Sequence, residues 1–387
     1  MTTLEAGFWL CSAVVAWELF IFPVILRLIA KLRPRPTSAA DITPSVTVVI
    51  TTHNEATNIA RKIEDTLALE YPAAQLDFLV ADDGSDDGTD QVIQRYADRG
   101  IKLLRQEQWL GKTAAQNLAA ACATGEIIFF TDATALLSPN SLRAMVRHFA
   151  DPQVGCVTGW ISWGKSAVSS DPSIAAGLKG RNRYEEEVRN RQAQAFSLFG
   201  ATGCIYAVRR SLYIPLAEDQ VSDLVLPLLL LECGYRTVHE PAAMATLERA
   251  LSPELEFRRR SRVVLQCLRA MWHMRRILWP GRVGTFFAAV SWYRLLRWLL
   301  PLFLIGILAT STALSILGKS FYMWVLLGQC LLFVLALLAR FCKPLSTRVP
   351  VVNVVFLFFW INFAALAAIF RLLAGEKGIT WSTARGR

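Results

Sequence analysis

An α/β domain with an open, largely parallel sheet, bracketed by N- and C-terminal transmembrane helices, is the fold class this sequence predicts. Two observations carry the prediction. Short β-branched runs alternate with helical segments between Val46 and Asp132, and apolar residues crowd the two ends of the chain. The 387 residues are 53% hydrophobic with a mean hydropathy of +0.36. That value is high for a water-soluble protein, yet Pro34 to Arg282 reads as ordinary globular sequence. Charges become few only from Trp298 to Leu373.

The first apolar run, Phe8 to Ala30, carries one acid, Glu18, and one base, Arg27. It is too long for a signal-peptide core and lacks a clear small-residue cleavage site, so it reads as a signal anchor. Lys31, Arg33 and Arg35 follow and put its C-terminal end in the cytoplasm. This divides the chain into an anchor (1–30), a linker stiffened by Pro34, Pro36 and Pro44 (31–45), and a soluble domain (46–257). Interfacial amphipathic helices (258–297), C-terminal spans (298–373) and a tail (374–387) follow. The spans are expected at Trp298 to Leu317, Phe321 to Leu338 and Pro350 to Leu373. Arg340, Lys343 and Arg348 place the last internal loop inside. Three spans then put the tail outside, whereas Lys377, Arg385 and Arg387 favour the inside; the two rules disagree there. The expected location is the cell (inner) membrane, multi-pass, with the soluble domain cytoplasmic.

The net charge of +10 fits positively charged membrane flanks and contact with anionic membrane lipids. Nucleic acid is disfavoured as a partner, because the Lys and Arg residues form no stripe interleaved with aromatics. The eight cysteines stand singly, without a CxxC pair, as in a reducing compartment.

Within the soluble domain, Val46 to Thr51 has the look of a buried parallel strand. Asn54 is placed to cap a helix running through Ile63 to Leu69, which Tyr71-Pro72 ends. Asp77 to Ala81 is a second strand, and a helix from Thr89 leads to a third at Ile101 to Leu104. A helix from Thr113 to Ala123 then precedes a fourth strand, Glu126 to Thr131. Ligands of such sheets sit at the carboxyl ends of the strands. His53-Asn54-Glu55, Asp82-Asp83 and Asp132 all fall there, which makes Glu55, Asp82, Asp83 and Asp132 candidate ligand-binding residues.

Carboxylates at the end of a buried strand are costly without a partner. For Asp82-Asp83-Gly84-Ser85-Asp86-Asp87-Gly88 a nucleoside's base or ribose supplies the donors. A calcium loop is the competing reading, but the full EF-hand spacing is absent. Gly111-Lys112-Thr113 resembles the end of a P-loop, except that Gln106 stands where the upstream glycine is required. Lys112 is left as a phosphate or base contact, or as a solvated lysine at a helix start. Asp132, with Thr134 two residues on, suits Mg2+ or Mn2+ against a diphosphate, or else caps a turn. Asp223 stands at the mouth of an apolar helix, as a general base or as an N-terminal cap. Arg258, Arg259, Arg260 and Arg262 open an amphipathic helix suited to clamping a diphosphate or lying on anionic lipid.

In order, the stretches VVITTHNE, VADDGSDDGT, GKTAAQNLA, FFTDATALLSP, GATGCIYAVRR, SDLVLPLLLLECGYRTVHEP and FRRRSR resemble glycosyltransferase family 2. The likeness is to its membrane-bound branch of cellulose, hyaluronan and poly-N-acetylglucosamine synthases, over roughly Val46 to Trp272. It implies a glycosyltransferase-A fold, a UDP-sugar donor, a divalent metal and inversion at the anomeric carbon. Asp82 and Asp83 would hold the uridine with Lys112 nearby, and Asp132 the metal. Asp223 matches the base, with Asp219 four residues too early for that role and left near the acceptor. Arg259 and Arg262 fall in the region of the Gln-x-x-Arg-Trp element. The stretch from Gly200 to Tyr206, Gly203 included, falls where the acceptor docks.

Two departures matter. Asp132-Ala133-Thr134 has lost one carboxylate of the Asp-x-Asp motif, and Arg259-Arg260-Ser261-Arg262-Val263 lacks the Gln and the Trp. The missing Trp favours a non-processive enzyme. The expected reaction is therefore sugar transfer to a polysaccharide or to a lipid acceptor, with one sugar placed on a membrane lipid as the alternative. A catalytically silent membrane scaffold is the rival of another class. Three C-terminal spans are few for a polymer channel, which a homo-oligomer would remedy.

Overall fold

The computed structural model describes residues 2–163, 172–247, 253–341 and 350–376. Lys343, Arg348, Lys377, Arg385 and Arg387, on which the loop and tail orientation rests, lie outside them.

The centre of the molecule is an eight-stranded sheet. Its strands are β1 (Val46–Thr52), β2 (Leu76–Asp82), β3 (Ile101–Arg105), β4 (Ile127–Asp132), β5 (Ala135–Leu137), β6 (Val154–Trp163), β7 (Ile205–Arg209) and β8 (Arg236–Leu247). They lie in the order β3-β2-β1-β4-β7-β6-β8-β5. β1 is paired in parallel with β2 and β4, and β2 with β3, which is the parallel half expected from sequence. β7 runs antiparallel to β4 and β6, and β5 antiparallel to β8. β1 is buried along its whole length, as helical cover on both faces requires.

The helices of the domain are α2 (Ile59–Leu67), α3 (Thr89–Gln94), α4 (Lys112–Cys122), α5 (Ser141–Val146), α6 (Pro172–Ala195), α7 (Ser222–Glu232) and α8 (Pro253–His273), after α1 (Thr3–Leu32). α2 starts four residues later than expected, with Asn58 rather than Asn54 in the cap position. Asn54 does not cap it; Asn54 adopts a left-handed conformation (φ 54°), and its side chain accepts from the Asp86 amide at 2.9 Å. An asparagine tolerates that conformation because its short amide bonds locally.

Four helices among the described residues are long and apolar enough to cross a membrane: α1, α9 (Thr285–Ile316), Ser320–Ala339 within α10 (Ser320–Phe341), and Val352–Leu373 within α11 (Pro350–Leu373). The segment around Arg294 and Arg297 is no separate interfacial helix: it is continuous with the apolar run beginning at Trp298. α1 and α9 pack closely. A methyl group on Gly306 would come within 2.8 Å of Cys11 Sγ, so a small residue is required at that crossing. Both helices also reach into the domain. Phe22 and Leu26 of α1 join Phe287, Val290 and Tyr293 of α9 in one apolar cluster with Val49, Ile128, Phe130 and Tyr206 of the sheet. Phe22 stacks on Tyr293 at 4.2 Å. The linker lies against this body, with Arg236 donating to the Arg35 carbonyl at 2.7 Å. The seven described cysteines are all free thiols.

Candidate active site

Strand register gathers the acids that sequence singled out. Thr52 lies opposite Asp82, and Thr51 opposite Asp132, so Asp82-Asp83 and Asp132 flank the end of β1. β7 comes back along β4 with Ile205 opposite Thr131, which delivers Gly203 to the same edge. α7 then begins at Ser222 and carries Asp223 in its first turn.

At the centre is Lys112, the first residue of α4. Its ammonium lies 2.5 Å from Asp132 Oδ1 and donates to the Gly203 carbonyl at 2.8 Å. Thr51 Oγ1 donates to the same Asp132 oxygen at 3.1 Å. A Cβ at Gly203 would stand 2.5 Å from Asp223 Oδ2 and 3.5 Å from Lys112 Nζ. Asp132, Lys112, Gly203 and Asp223 are therefore contiguous. Burial pushes the Asp223 carboxyl above the usual range; Lys112 opposes this and the nearby Asp132 reinforces it. Burial pulls on Lys112 in the other direction, but the Asp132 and Asp223 charges outweigh it and hold its ammonium up. A carboxylate with a raised pKa beside a fixed cation is equipped to accept a proton.

The donor-side residues divide differently. Asp82 and Asp83 are fully buried, and both carboxylates already have protein partners. Asp83 accepts from the Leu110 and Gly111 amides at 2.9 Å each, which fixes the loop that leads into Lys112. Asp82 accepts from the Ser85 hydroxyl, with Arg105 at 3.8 Å; burial raises its pKa. Glu55 accepts from the Asn58 side chain at 2.5 Å. The open surface here is Trp109, 42% exposed and stacked on the His53 ring at 4.9 Å with the planes 6° apart. Sequence reading passed over Trp109; its position three residues before Lys112 was the available signal.

Among the described residues no group of three or more His, Cys, Asp and Glu side chains gathers as a metal centre. Thr134 is exposed in the turn between β4 and β5. Asp132 uses only Oδ1 toward Thr51 and Lys112, and no described residue bonds its Oδ2. One free carboxylate oxygen with a hydroxyl nearby fits a hard cation that takes its remaining ligands from phosphate oxygens and water.

The arginines on α8 are not free clamps. Arg259 is bonded twice to Glu256, at 3.0 and 3.2 Å, and Arg260 lies 2.5 Å from the same buried acid. Arg262 is partly buried near Arg259 and Arg371, and burial with these like charges lowers its pKa. Asp219 is tied to Arg269 at 3.2 Å, which anchors the loop before α7 to α8. Two more groups went unnoticed in the sequence. Arg189 on α6 donates to the Gly200 carbonyl and to Thr202, each at 3.2 Å, on the acid side of Asp223. Lys62 on α2 is fully buried beneath the Asp132 turn, bonded to the Ala135 carbonyl and 3.3 Å from Asp65. Burial brings its pKa down to about 8.

Comparison with known proteins bears on the domain and its fold. The family described as Glycosyl transferase family 2 matches residues 47–216. An N-acetylglucosaminyltransferase of Rhizobium sp. is 27% identical over 225 residues, 53% of this chain and 49% of that protein. A beta-monoglucosyldiacylglycerol synthase of Synechocystis sp. is 30% identical over 120 residues, 30% of this chain and 25% of its own length. The chain thus spans about half the length, or less, of these curated relatives. Among solved structures, a mannosyltransferase from Pyrobaculum calidifontis in complex with GDP-Man and Mn2+ superposes with a TM-score of 0.72 at 24% identity. The superposition covers 96% of this chain and 99% of that one. The sheet, the acids at its edge and the match lead to one assignment: residues 47–216 form a glycosyltransferase family 2 domain, built on a glycosyltransferase-A fold.

Proposed function

We propose that the protein is a membrane-bound inverting glycosyltransferase that moves a sugar from a nucleotide-sugar, a UDP-sugar first among them, to a polysaccharide or lipid acceptor at the cytoplasmic face of the cell membrane. The carrying observation is the contiguity of Asp132, Lys112, Gly203 and Asp223 beneath a domain whose core includes the feet of α1 and α9.

In this reading Trp109 and His53 form the flat surface for the base, and Lys112 meets the donor's phosphates. Asp132, with Thr134 at its turn, would hold Mg2+ or Mn2+, which when bound neutralises charge on the departing diphosphate. Lys112 adds a fixed positive charge at the same place. Asp223 removes the proton of the acceptor hydroxyl as its oxygen attacks the anomeric carbon from the face opposite the leaving group. Gly203 keeps the space beside that carboxylate open. Arg259 and Arg262 are on α8, where Arg259 braces Glu256 and Arg262 is left as the candidate contact for the nucleotide's phosphates; Asp219 and Gly203 would border the acceptor side. The relative that makes monoglucosyldiacylglycerol favours a lipid acceptor. GDP-mannose, present in the structural relative, is the alternative donor.

The test is nucleoside diphosphate release by the detergent-purified full chain, with UDP- and GDP-sugars and a panel of lipids. A single added hexose by mass supports the lipid acceptor, and a ladder supports polymer synthesis. Absence of release with every donor, or unchanged release in Asp223→Asn, would overturn the mechanism.

A further inference from the structure

Near Asp223, three side chains carry buried nitrogen atoms with no protein partner: Arg189 Nε, Gln192 Nε2 and Arg294 Nε. Their setting is linked. Arg189 and Gln192 stand one turn apart on α6, and Arg294 of α9 donates to Gln192 Oε1 at 3.4 Å. Arg189 feels the positive charge of Arg294 and the negative charges of Glu185 and Asp223, and burial with Arg294 brings its pKa down to about 10. Gln192 is completely buried. Glu18 and Glu185 each lie 3.7 Å from Arg297, and their charges also reach Arg294 and Arg189 respectively, so what stays unmet at this cluster is the hydrogen bonding of the three nitrogen atoms.

Buried N–H groups in native proteins are almost always satisfied, and two guanidinium groups brought together from different helices repel. Both costs vanish when an anion with several oxygens sits between them, because guanidinium N–H groups match phosphate geometry. The position selects the anion. Arg294 is on the spanning helix α9, just past Phe287 and Val290, which are buried in the domain core, and just before the helix's apolar run. Arg189 holds the Gly200–Thr202 stretch, whose Ala201 amide donates to the Asp223 carbonyl at 2.6 Å. In the proposed function the donor's diphosphate has its own cation in Lys112, which is bonded to Asp132 and the Gly203 carbonyl.

We propose that Arg189, Gln192 and Arg294 bind a phosphate carried by the membrane-lipid acceptor, next to the hydroxyl that Asp223 deprotonates. This rests on the proposed function and narrows it: the acceptor is an anionic phospholipid or a lipid-phosphate-linked sugar, and neutral diacylglycerol is excluded.

The test uses dodecyl phosphate as probe and needs no turnover. Binding to the full chain in neutral detergent is followed calorimetrically. Saturable binding is expected, tighter than that of inorganic phosphate by about tenfold or more from the burial of the alkyl chain. Loss of a charged hydrogen-bonding partner in Arg294→Gln should weaken it by about tenfold or more. Gln192→Leu, which keeps every charge, should weaken it less, and UDP or GDP should not displace the probe. No saturable binding, equal affinity in both variants, or affinity no better than that of inorganic phosphate would each overturn the proposal. Displacement by UDP would assign the anion to the donor and overturn it as well. Failure of the broader reading is separate: it is the absence of nucleoside diphosphate release by the wild-type protein with any donor.

Discussion

Replacing Gly203 with alanine tests the centre of the site with one methyl group. Gly203 is not among the glycines with positive φ, so alanine fits its backbone; what forbids a side chain is space. The new Cβ would lie 2.5 Å from Asp223 Oδ2 and 3.2 Å from its Cγ, far inside van der Waals contact. Either the carboxylate turns away or the Gly203 backbone retreats and lengthens the 2.8 Å bond from Lys112. A shift of about 1 Å in a reacting group costs on the order of 10²-fold in turnover. The expected result is a kcat reduced by about that factor, with the donor's KM little changed if the carboxylate is what moves. The assay is continuous nucleoside diphosphate release, with thermal unfolding as control because the strain is confined to one side chain. Undiminished kcat in Gly203→Ala would refute the reasoning, since it would mean that the Asp223 carboxylate has no fixed catalytic position.

Further predictions follow from the same geometry. Asp223→Asn should lower kcat by about 10³-fold, the usual range for loss of a general base, while donor binding measured calorimetrically persists. Because Asp223 must be ionised and burial raises its pKa, the acid limb of kcat/KM should lie above the usual aspartate range. Lys112→Met removes the cation that opposes that rise, so the limb should move to still higher pH. Trp109→Ala should weaken the donor roughly threefold to tenfold, the value of one aromatic stack, without changing the pH profile. Lys62 binds a proton in the unfolded chain up to its ordinary pKa of 10.5 but loses it in the fold near 8. Stability of the wild type relative to Lys62→Met should therefore rise between pH 8 and pH 10.5, by about 3 kcal/mol at most, as read by chemical denaturation across that range.

The parallel half of the sheet was legible because each of its strands is a short, largely apolar run set between helical segments, and β2 and β4 end in an acid. β6, β7 and β8 were not, since their pairing depends on contacts between segments far apart in the chain, such as Val157 with Val238. Among site residues, Asp132 and Asp223 were found by position: one ends a strand, the other opens an apolar helix. The closeness of Lys112 to both was invisible, because it requires β7 to turn Gly203 back under α4. Asp82 and Asp83 were read as ligands for a nucleoside, whereas their carboxylates hold Ser85 and the Leu110–Gly111 amides. An acid that fixes a loop and one that binds a ligand have the same sequence signature. Trp109, Arg189 and Lys62 belong to no motif and become informative only when the elements are packed.

The stack of Phe22 on Tyr293 places the feet of two spanning helices inside the same apolar cluster that supports the sheet. Cutting the chain between anchor and domain would strip that cluster of its outer wall, so a freed domain should be sticky and prone to precipitate. The same joint ties the orientation of the domain to that of the two helices. In the proposed function, substrates then come to a cleft held at a set height above the bilayer, the sugar nucleotide by diffusion from the water and a lipid by sliding in from the leaflet.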